Sequence, residues 1–208
     1  MNVATDRMSP SITTMIRMDH SYVMSLFHRY KADTAPGRKR ALVSNACLAI
    51  QVHAQLEEEI FYPALRELIS GDEVLEKSEP EHEQMRRLIT DLRQLTSDDR
   101  SLGDACDDKF MELMRLVMHH VADEETRLLP VAERQLKNRL STMGMEMTRR
   151  RIELMRPHAA EFTASTVRSF PVGAATGAAL VTAGAVAIGA MLFGRGKKRG
   201  PSYRAGRH

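Results

Sequence analysis

The 208-residue sequence contains no tryptophan, and only 5% of its residues are aromatic. Runs of β-branched residues are rare and glycine is scarce before residue 171, whereas leucine, methionine, alanine and charged residues are frequent. Sheets favour β-branched and aromatic side chains, and helices favour the residues that are frequent here. The composition therefore argues against a β-rich fold and predicts an all-α chain that is long enough to build its own core.

Cysteine is also scarce, because only Cys47 and Cys106 are present and no C-x-x-C spacing occurs. Isolated thiols in apolar segments favour core residues of a reducing compartment over a disulfide or a metal-ligand role. The first ten residues lack an apolar run, so we expect no secretory signal peptide.

Acidic residues are absent after Glu161. Six basic residues lie beyond Gly194, which leaves 24 basic and 27 acidic residues and a net charge of −3 for the rest of the chain. Binding to phosphates needs a basic stripe, so this mildly acidic body argues against nucleic acid as a partner.

Helical periodicity covers most of residues 10–156. Turn signals divide this region into four long helices, and we expect Pro63 and Pro130 to bend or break the second and fourth of them. A shorter fifth helix should end before Pro157. The expected ranges of the four long helices are 10–32, 37–69, 73–95 and 104–136. Long helices joined by short turns predict an up-down-up-down four-helix bundle.

Residues 171–193 carry no charge, and a helix of this length is sufficient to cross a bilayer. Gly173 and Gly177 form a G-x-x-x-G spacing, which permits close helix packing, and the basic stretch RGKKRG follows. We therefore predict a single-pass membrane helix with the bundle on the cytoplasmic side, and homo-oligomers formed through this spacing. A flexible tail or a surface-lying helix is the alternative.

Two copies of the pattern H-x-x-x-E-E-x-x-[FL]-x-P begin at His53 and at His120. Residues i and i+4 lie on one face of a helix, so His53 and Glu57 point the same way, as do His120 and Glu124. The neighbouring positions on each face are apolar. A buried, ionised carboxylate is costly unless a cation compensates it, so each pair is a candidate metal-ligand pair.

Single histidines occur on the first and third helices, at His20 and His82, and each follows an acidic residue. The order H, HxxxE, H, HxxxE indicates a duplicated helix pair. Four imidazoles and two carboxylates predict two metal ions bridged by the carboxylates, each ion also held by two histidines. Nitrogen and oxygen ligands without thiolates suit iron, with manganese or zinc as alternatives.

Several neighbouring side chains remain alternatives. His119 lies about 100° round the helix from His120 and is the second choice for that ligand. Glu58, Glu59 and Glu125 fit an outer or surface position better than a direct ligand position. Asp19 and Glu81 either orient the histidines that follow them or favour the helix N-terminal half.

Four stretches together resemble the hemerythrin-like, or HHE cation-binding, domain family: DH, HAQLEEEIFYPAL, EH and HHVADEETRLLP. The resemblance covers about residues 10–140 and implies a four-helix bundle around a non-haem di-iron centre. The metal ligands that it implies are His20, His53, Glu57, His82, His120 and Glu124. The remaining segments are a basic helical linker at 141–170, the apolar segment at 171–194 and the basic tail at 195–208.

This sequence departs from the oxygen-carrying hemerythrins, which have an H-x-x-x-H pair on the third helix. Here Ser78 and Arg86 stand four residues before and after His82. The departure implies an open or water-filled position on one iron and argues against simple reversible oxygen carriage.

Two functions follow from these expectations. No side chain beyond the ligands is an obvious general base, so any chemistry would belong to the metals. The first is a membrane-tethered di-iron protein that binds or processes oxygen, peroxide or nitric oxide. The second is an iron- or oxygen-sensing module that acts on a partner or on the membrane segment through the arginine-rich fifth helix. A metal-free scaffold is the third and weakest alternative.

Overall fold

The computed structural model describes residues 10–97 and 103–169, and these ranges contain helices and turns but no strand. Eight α-helices follow one another: α1 (Ile12–Arg29), α2 (Pro36–Leu56), α3 (Tyr62–Ile69), α4 (Glu73–Ser97), α5 (Asp104–Asp123), α6 (Leu129–Gln135), α7 (Leu140–Met155) and α8 (Ala159–Ser169). The predicted all-α class is therefore confirmed.

Four long legs form the bundle, and two of them are composite. Helix α2 continues into α3 through the π-helical segment π1 (Glu57–Phe61), and α5 continues into α6 through π2 (Glu124–Leu128). Helix α1 packs against α2, and α4 packs against α5 and α2. Two apolar clusters fill the interior, one around Phe61 and Leu65 and the other around Phe110 and Ile89. Each fully buried side chain of this size contributes roughly 1.5–3 kcal/mol.

The prolines were expected to bend or break the long helices, and neither of them breaks its helix. Proline has no N–H and collides with the carbonyl four residues earlier, which an α-helix cannot accommodate without adjustment. Here the chain stays helical, and the adjustment is a wider turn just before each proline: the N–H of Tyr62 donates to the carbonyl of Glu57, and that of Leu129 to Glu124. Each π-helical segment therefore begins at one of the two predicted carboxylate ligands.

The interpretation of the cysteines as core residues agrees with the structure. Cys47 and Cys106 are both buried, carry free thiols and belong to the same apolar cluster. Burial raises the pKa of Cys47 to about 12, which keeps its thiol protonated and unreactive.

Two further helices lie on the outside of the bundle, with α7 along α1 and α8 along α2. Gly144 permits the close approach of α7, because a Cβ at this position would lie 2.1 Å from the carbonyl oxygen of Pro10. The predicted membrane segment and basic tail lie outside the described residues. Within the described ranges, every helix is too short or too polar to cross a bilayer.

Candidate metal centre

All six predicted ligand side chains meet in the interior of the bundle, between the two apolar clusters. Each is at most 7% exposed, and the two glutamates are fully buried. Helices α1, α2, α4 and α5 each supply one histidine, and π1 and π2 each begin with one glutamate. The six side chains are His20, His53, Glu57, His82, His120 and Glu124.

Each glutamate lies between histidines that come from different helices. The Nε2 atoms of His53 and His82 lie 3.2 and 3.6 Å from Oε2 of Glu57. The Nε2 atoms of His20 and His120 lie 3.2 and 3.5 Å from Oε2 of Glu124.

Ligand atoms within 4.8 Å of one another form two groups that share Glu57. One group contains His20, His53, Glu57 and Glu124, and the other contains Glu57, His82 and His120.

A second layer of carboxylates holds the other nitrogen of every imidazole. The Nδ1 atoms of His20, His82 and His120 lie 2.8–2.9 Å from a carboxylate oxygen, and that of His53 lies 3.3 Å from one. The four acceptors, in the order His20, His53, His82 and His120, are Glu125, Asp19, Glu58 and Glu81. A neutral imidazole that donates from Nδ1 presents a lone pair at Nε2, so in their neutral form the four rings turn an acceptor toward the inner glutamates.

Without a cation, the lone pairs of the neutral imidazoles face one another and the oxygens of the inner glutamates. The Nε2 atoms of His82 and His120 are only 3.0 Å apart. Four inward atoms are buried without a hydrogen-bond partner: Nε2 of His20 and His53, Oε1 of Glu57 and Oε2 of Glu124. Unsatisfied buried acceptors are costly, and a cation satisfies all of them at once. The six side chains therefore fit a metal, and their nitrogen and oxygen donors fit iron.

The pKa values of the two inner glutamates shift in opposite directions. Burial raises the pKa of Glu57 well above its usual value, and the nearby Glu124 raises it further. Burial also opposes ionisation of Glu124, but His120 and His20 outweigh that effect and lower its pKa. Two buried negative charges disfavour each other, so in the metal-free protein Glu57 is the member of the pair that favours its protonated form.

The expected role of the acids that precede His20 and His82 was partly wrong. Asp19 and Glu81 do orient histidines, but each binds the histidine of the following leg, His53 or His120. Glu58 likewise binds His82 of the third leg, and Glu125 binds His20 of the first, so each acid binds the histidine of the next leg and the four contacts form a ring. Contacts between an acid of one leg and the histidine of the next are what a duplicated helix pair with approximate two-fold symmetry produces.

The side chains considered as alternative ligands lie outside the buried cluster. His119 is exposed, whereas His120 is 2% exposed, so His119 points away from the cluster. Glu59 is bound by Arg150 near the surface. Arg86 pairs with Glu58, which it helps to hold against His82.

Tyr62 is the residue of the site that sequence reasoning missed. Its hydroxyl donates to Oε1 of Glu124 at 2.9 Å and lies 3.3 Å from Oε2 of Glu57, and its ring stacks on that of His82. Regular α-helical spacing would place Phe61 beside Glu57, but the π-helical turn shifts Tyr62 into that position. Leu129 stands at the equivalent place in the second repeat, so the tyrosine makes the two halves of the site unequal. The signal that could have identified it is the proline that follows.

We expect Tyr62→Phe to destabilise the metal-free protein more than the metal-loaded protein. The substitution keeps the stacked ring but removes a hydroxyl donor from a buried carboxylate, which costs about 1–3 kcal/mol unless a cation takes its place. Denaturant unfolding of both forms measures the difference. Tyr30→Phe is the matched control, because the Tyr30 hydroxyl also donates to a carboxylate, that of Asp107, but far from the cluster. An equal loss in both forms of Tyr62→Phe would contradict this expectation.

Comparison with known proteins places this geometry in a family. The family model described as "Hemerythrin HHE cation binding domain" matches residues 11–132. A curated DNA nickase from Nostoc sp. (strain PCC 7120 / SAG 25.82 / UTEX 2576) is 26% identical over 142 residues, which make up 68% of this chain but only 38% of that relative. No solved structure matches significantly. Because the family match covers more than half of the chain and contains all six clustered side chains, the chain belongs to the hemerythrin HHE cation-binding domain family.

Proposed function

We propose that the cluster holds two iron ions and that this pair binds or processes oxygen, peroxide or nitric oxide. His20 and His53 would hold one ion, and His82 and His120 the other, with Glu57 and Glu124 shared between them. Support comes from the two groups of ligand atoms that meet at Glu57 and from the four inward atoms that lack a partner. Iron bound here supplies redox chemistry and affinity for small diatomic or peroxidic ligands.

The observation that carries the choice of a small ligand is a cavity beside the histidines. It has a volume of about 10 Å³, room for about one water-sized molecule. All four imidazoles line it, and its other walls are apolar: Val23, Ile50, Ala54, Met85, Val117 and Val121. A space this small favours a ligand of very few atoms over an organic substrate.

The apolar walls also restrict the chemistry of the cavity. The two inner glutamates do not line the cavity. Apart from the four histidines, its lining contains no acidic or basic side chain. Water and charged species are therefore disfavoured there, whereas neutral oxygen, hydrogen peroxide and nitric oxide are not.

Two parts of the proposal rest on sequence alone. Attachment to a membrane would come from residues 171–194, and a homo-oligomer from their G-x-x-x-G spacing. We do not extend to this chain the nicking activity that the Nostoc relative's name states, because the chain before its basic tail carries a net charge of −3, which disfavours binding to phosphates.

The test is anaerobic purification with metal quantification, followed by optical spectra before and after oxygen, peroxide or nitric oxide is added. We expect about two iron ions per chain and a spectral change with at least one of the three ligands. Protein that is stably folded without a transition metal, and takes up no ferrous ion when offered it, would contradict the proposal. Iron binding without any ligand response would favour the sensing role instead.

Filling the cavity tests its role separately. We expect Ala54→Val to keep the iron but to slow the reaction with peroxide or nitric oxide by about tenfold or more, because overpacking costs about 1–3 kcal/mol and the ligand competes for the same space. Ala64→Val is the matched control, since Ala64 is similarly buried but lies in the apolar cluster around Phe61 and does not line the cavity. Stopped-flow absorbance measures both rates. Equal slowing in the two variants would assign the effect to general overpacking and remove the cavity from the proposal.

A further inference from the structure

We propose that α7 is part of the metal centre: Arg151, acting through Asp19, is a positioning residue for His53, so that metal binding and the docking of α7 strengthen each other. This inference rests on the proposed metal binding. Arg151 lies outside residues 11–132, the region that the family model matches.

A continuous chain of contacts runs from α7 to the cluster. The two terminal nitrogens of Arg151 donate to the two carboxylate oxygens of Asp19, each at 2.6 Å. Oδ2 of Asp19 also lies 3.3 Å from Nδ1 of His53, whose Nε2 faces Glu57. A two-pronged guanidinium–carboxylate pair is both strong and directional, so Asp19 has little freedom to turn away from the imidazole.

The position of α7 is itself determined by packing. Gly144, Thr148 and Arg151 lie along one face of α7 and meet Pro10, Met15 and Asp19 in that order, so α7 runs parallel to α1. Met147 on the same helix is fully buried. Because Gly144 touches the backbone of Pro10, a sliding movement of α7 would cause a collision at one end and break the Arg151 pair at the other.

In the second half of the site, within the described residues, the outer carboxylates are paired with cations from the bundle helices themselves. Glu58, which binds His82, is held by Arg86 of α4. Glu81 plays the part of Asp19 for His120, but its basic neighbour Lys77 is on the same helix, 3.8 Å away and 42% exposed. An exposed pair of this kind contributes little. The six ligands are arranged with approximate two-fold symmetry, but the residues that surround them are not. Among the described residues, His53 is the histidine whose outer carboxylate is bound by α7.

The consequence follows from thermodynamic linkage. Loss of a group that orients a metal ligand from outside typically costs 10–100-fold in metal affinity. Coupling free energies are reciprocal, so metal binding must favour the docked position of α7 by the same factor. A helix that leads toward the C-terminal segment thus responds to the occupancy of the site.

The experiment compares full-length wild type, Arg151→Met and Arg150→Met. Arg150→Met is the matched control, because Arg150 forms an equivalent two-pronged pair with Glu59 near the surface, and Glu59 contacts none of the histidines. Hydrogen exchange of residues 140–155 is measured with and without ferrous ion, under anaerobic conditions. Release of iron to a chelator is followed on the same samples.

In the wild type and in Arg150→Met, we expect ferrous ion to slow exchange in α7 by about 10–100-fold. In Arg151→Met this dependence on metal should disappear, and one of the two ions should be released about 10–100-fold faster. Arg151→Lys keeps the charge without the two-pronged geometry and should be intermediate, and it serves as the test if the methionine variant does not fold.

Identical behaviour of Arg151→Met and Arg150→Met would overturn the inference, as would α7 exchange in the wild type that is independent of iron. Neither result affects the proposed function, which is tested by iron binding and by the spectral response of the wild type to oxygen, peroxide or nitric oxide.

Discussion

Replacing His53 and His120 together with alanine is expected to remove the bound iron while the bundle remains folded. Each substitution takes one imidazole from one of the two ligand groups. Outer residues that merely orient ligands are worth 10–100-fold in affinity, and a direct ligand is worth more, so a loss of more than about 100-fold per ion is expected. Metal quantification after anaerobic purification should fall from about two ions per chain to about none.

The fold should survive this change because neither outer carboxylate loses all of its support. Asp19 keeps both hydrogen bonds from Arg151. Glu81, which is 17% exposed, keeps its ion pair with Lys77 at 3.8 Å. Far-ultraviolet circular dichroism checks that the helices persist in the metal-free double variant.

His119→Ala is the control for this experiment, since His119 is adjacent in sequence to His120 but exposed. It should retain the full complement of iron. Iron that persists in the double variant, or that is lost in His119→Ala, would show that the ligands have been assigned wrongly.

Glu57→Gln is expected to act in opposite directions on the metal-free and metal-loaded proteins. A carboxyl group whose pKa is raised on folding stabilises the protein less as the pH rises above its unfolded pKa, here about 4.5. Glutamine resembles the protonated acid and removes this penalty. The metal-free variant should therefore be more stable than the metal-free wild type at pH 7, with a difference that grows as the pH rises from 4.5.

The loaded proteins should show the reverse order. Bound metal stabilises the native state by mass action, by about 4 kcal/mol when the free ion is at a thousand times its dissociation constant. A neutral amide at position 57 removes the carboxylate that both ligand groups share, so the variant should lose most of this gain. Urea unfolding with and without ferrous ion, under anaerobic conditions, measures both quantities.

Glu58→Gln tests the same reasoning with the opposite sign. Burial alone would raise the pKa of Glu58, but His82 and Arg86 outweigh it and lower the pKa. The ionised form therefore stabilises the fold above the unfolded pKa, and its removal should destabilise the metal-free protein at pH 7. If both variants moved the metal-free stability in the same direction, the assignment of Glu57 as the protonated member of the cluster would be wrong.

The sequence by itself determined the all-α fold and the six side chains that converge in the interior. It could do so because an α-helix places i and i+4 on one face, and because the pattern occurs twice with a single histidine before each copy. Those constraints are local to each helix, and they hold whatever the surrounding packing. The nitrogen and oxygen character of the site, and hence its suitability for iron, follows from residue identity alone.

Only the tertiary structure decided which atoms meet across helices. Whether His119 or His120 faces inward, and whether Asp19 supports His20 or His53, depends on how each helix is rotated against its neighbours. Tyr62 reaches the carboxylates because a π-helical turn shifts the phase of the chain after Glu57, and Arg151 because a fifth helix packs along α1. Contacts of this kind arise from packing between segments far apart in sequence, which helical periodicity within one segment cannot specify.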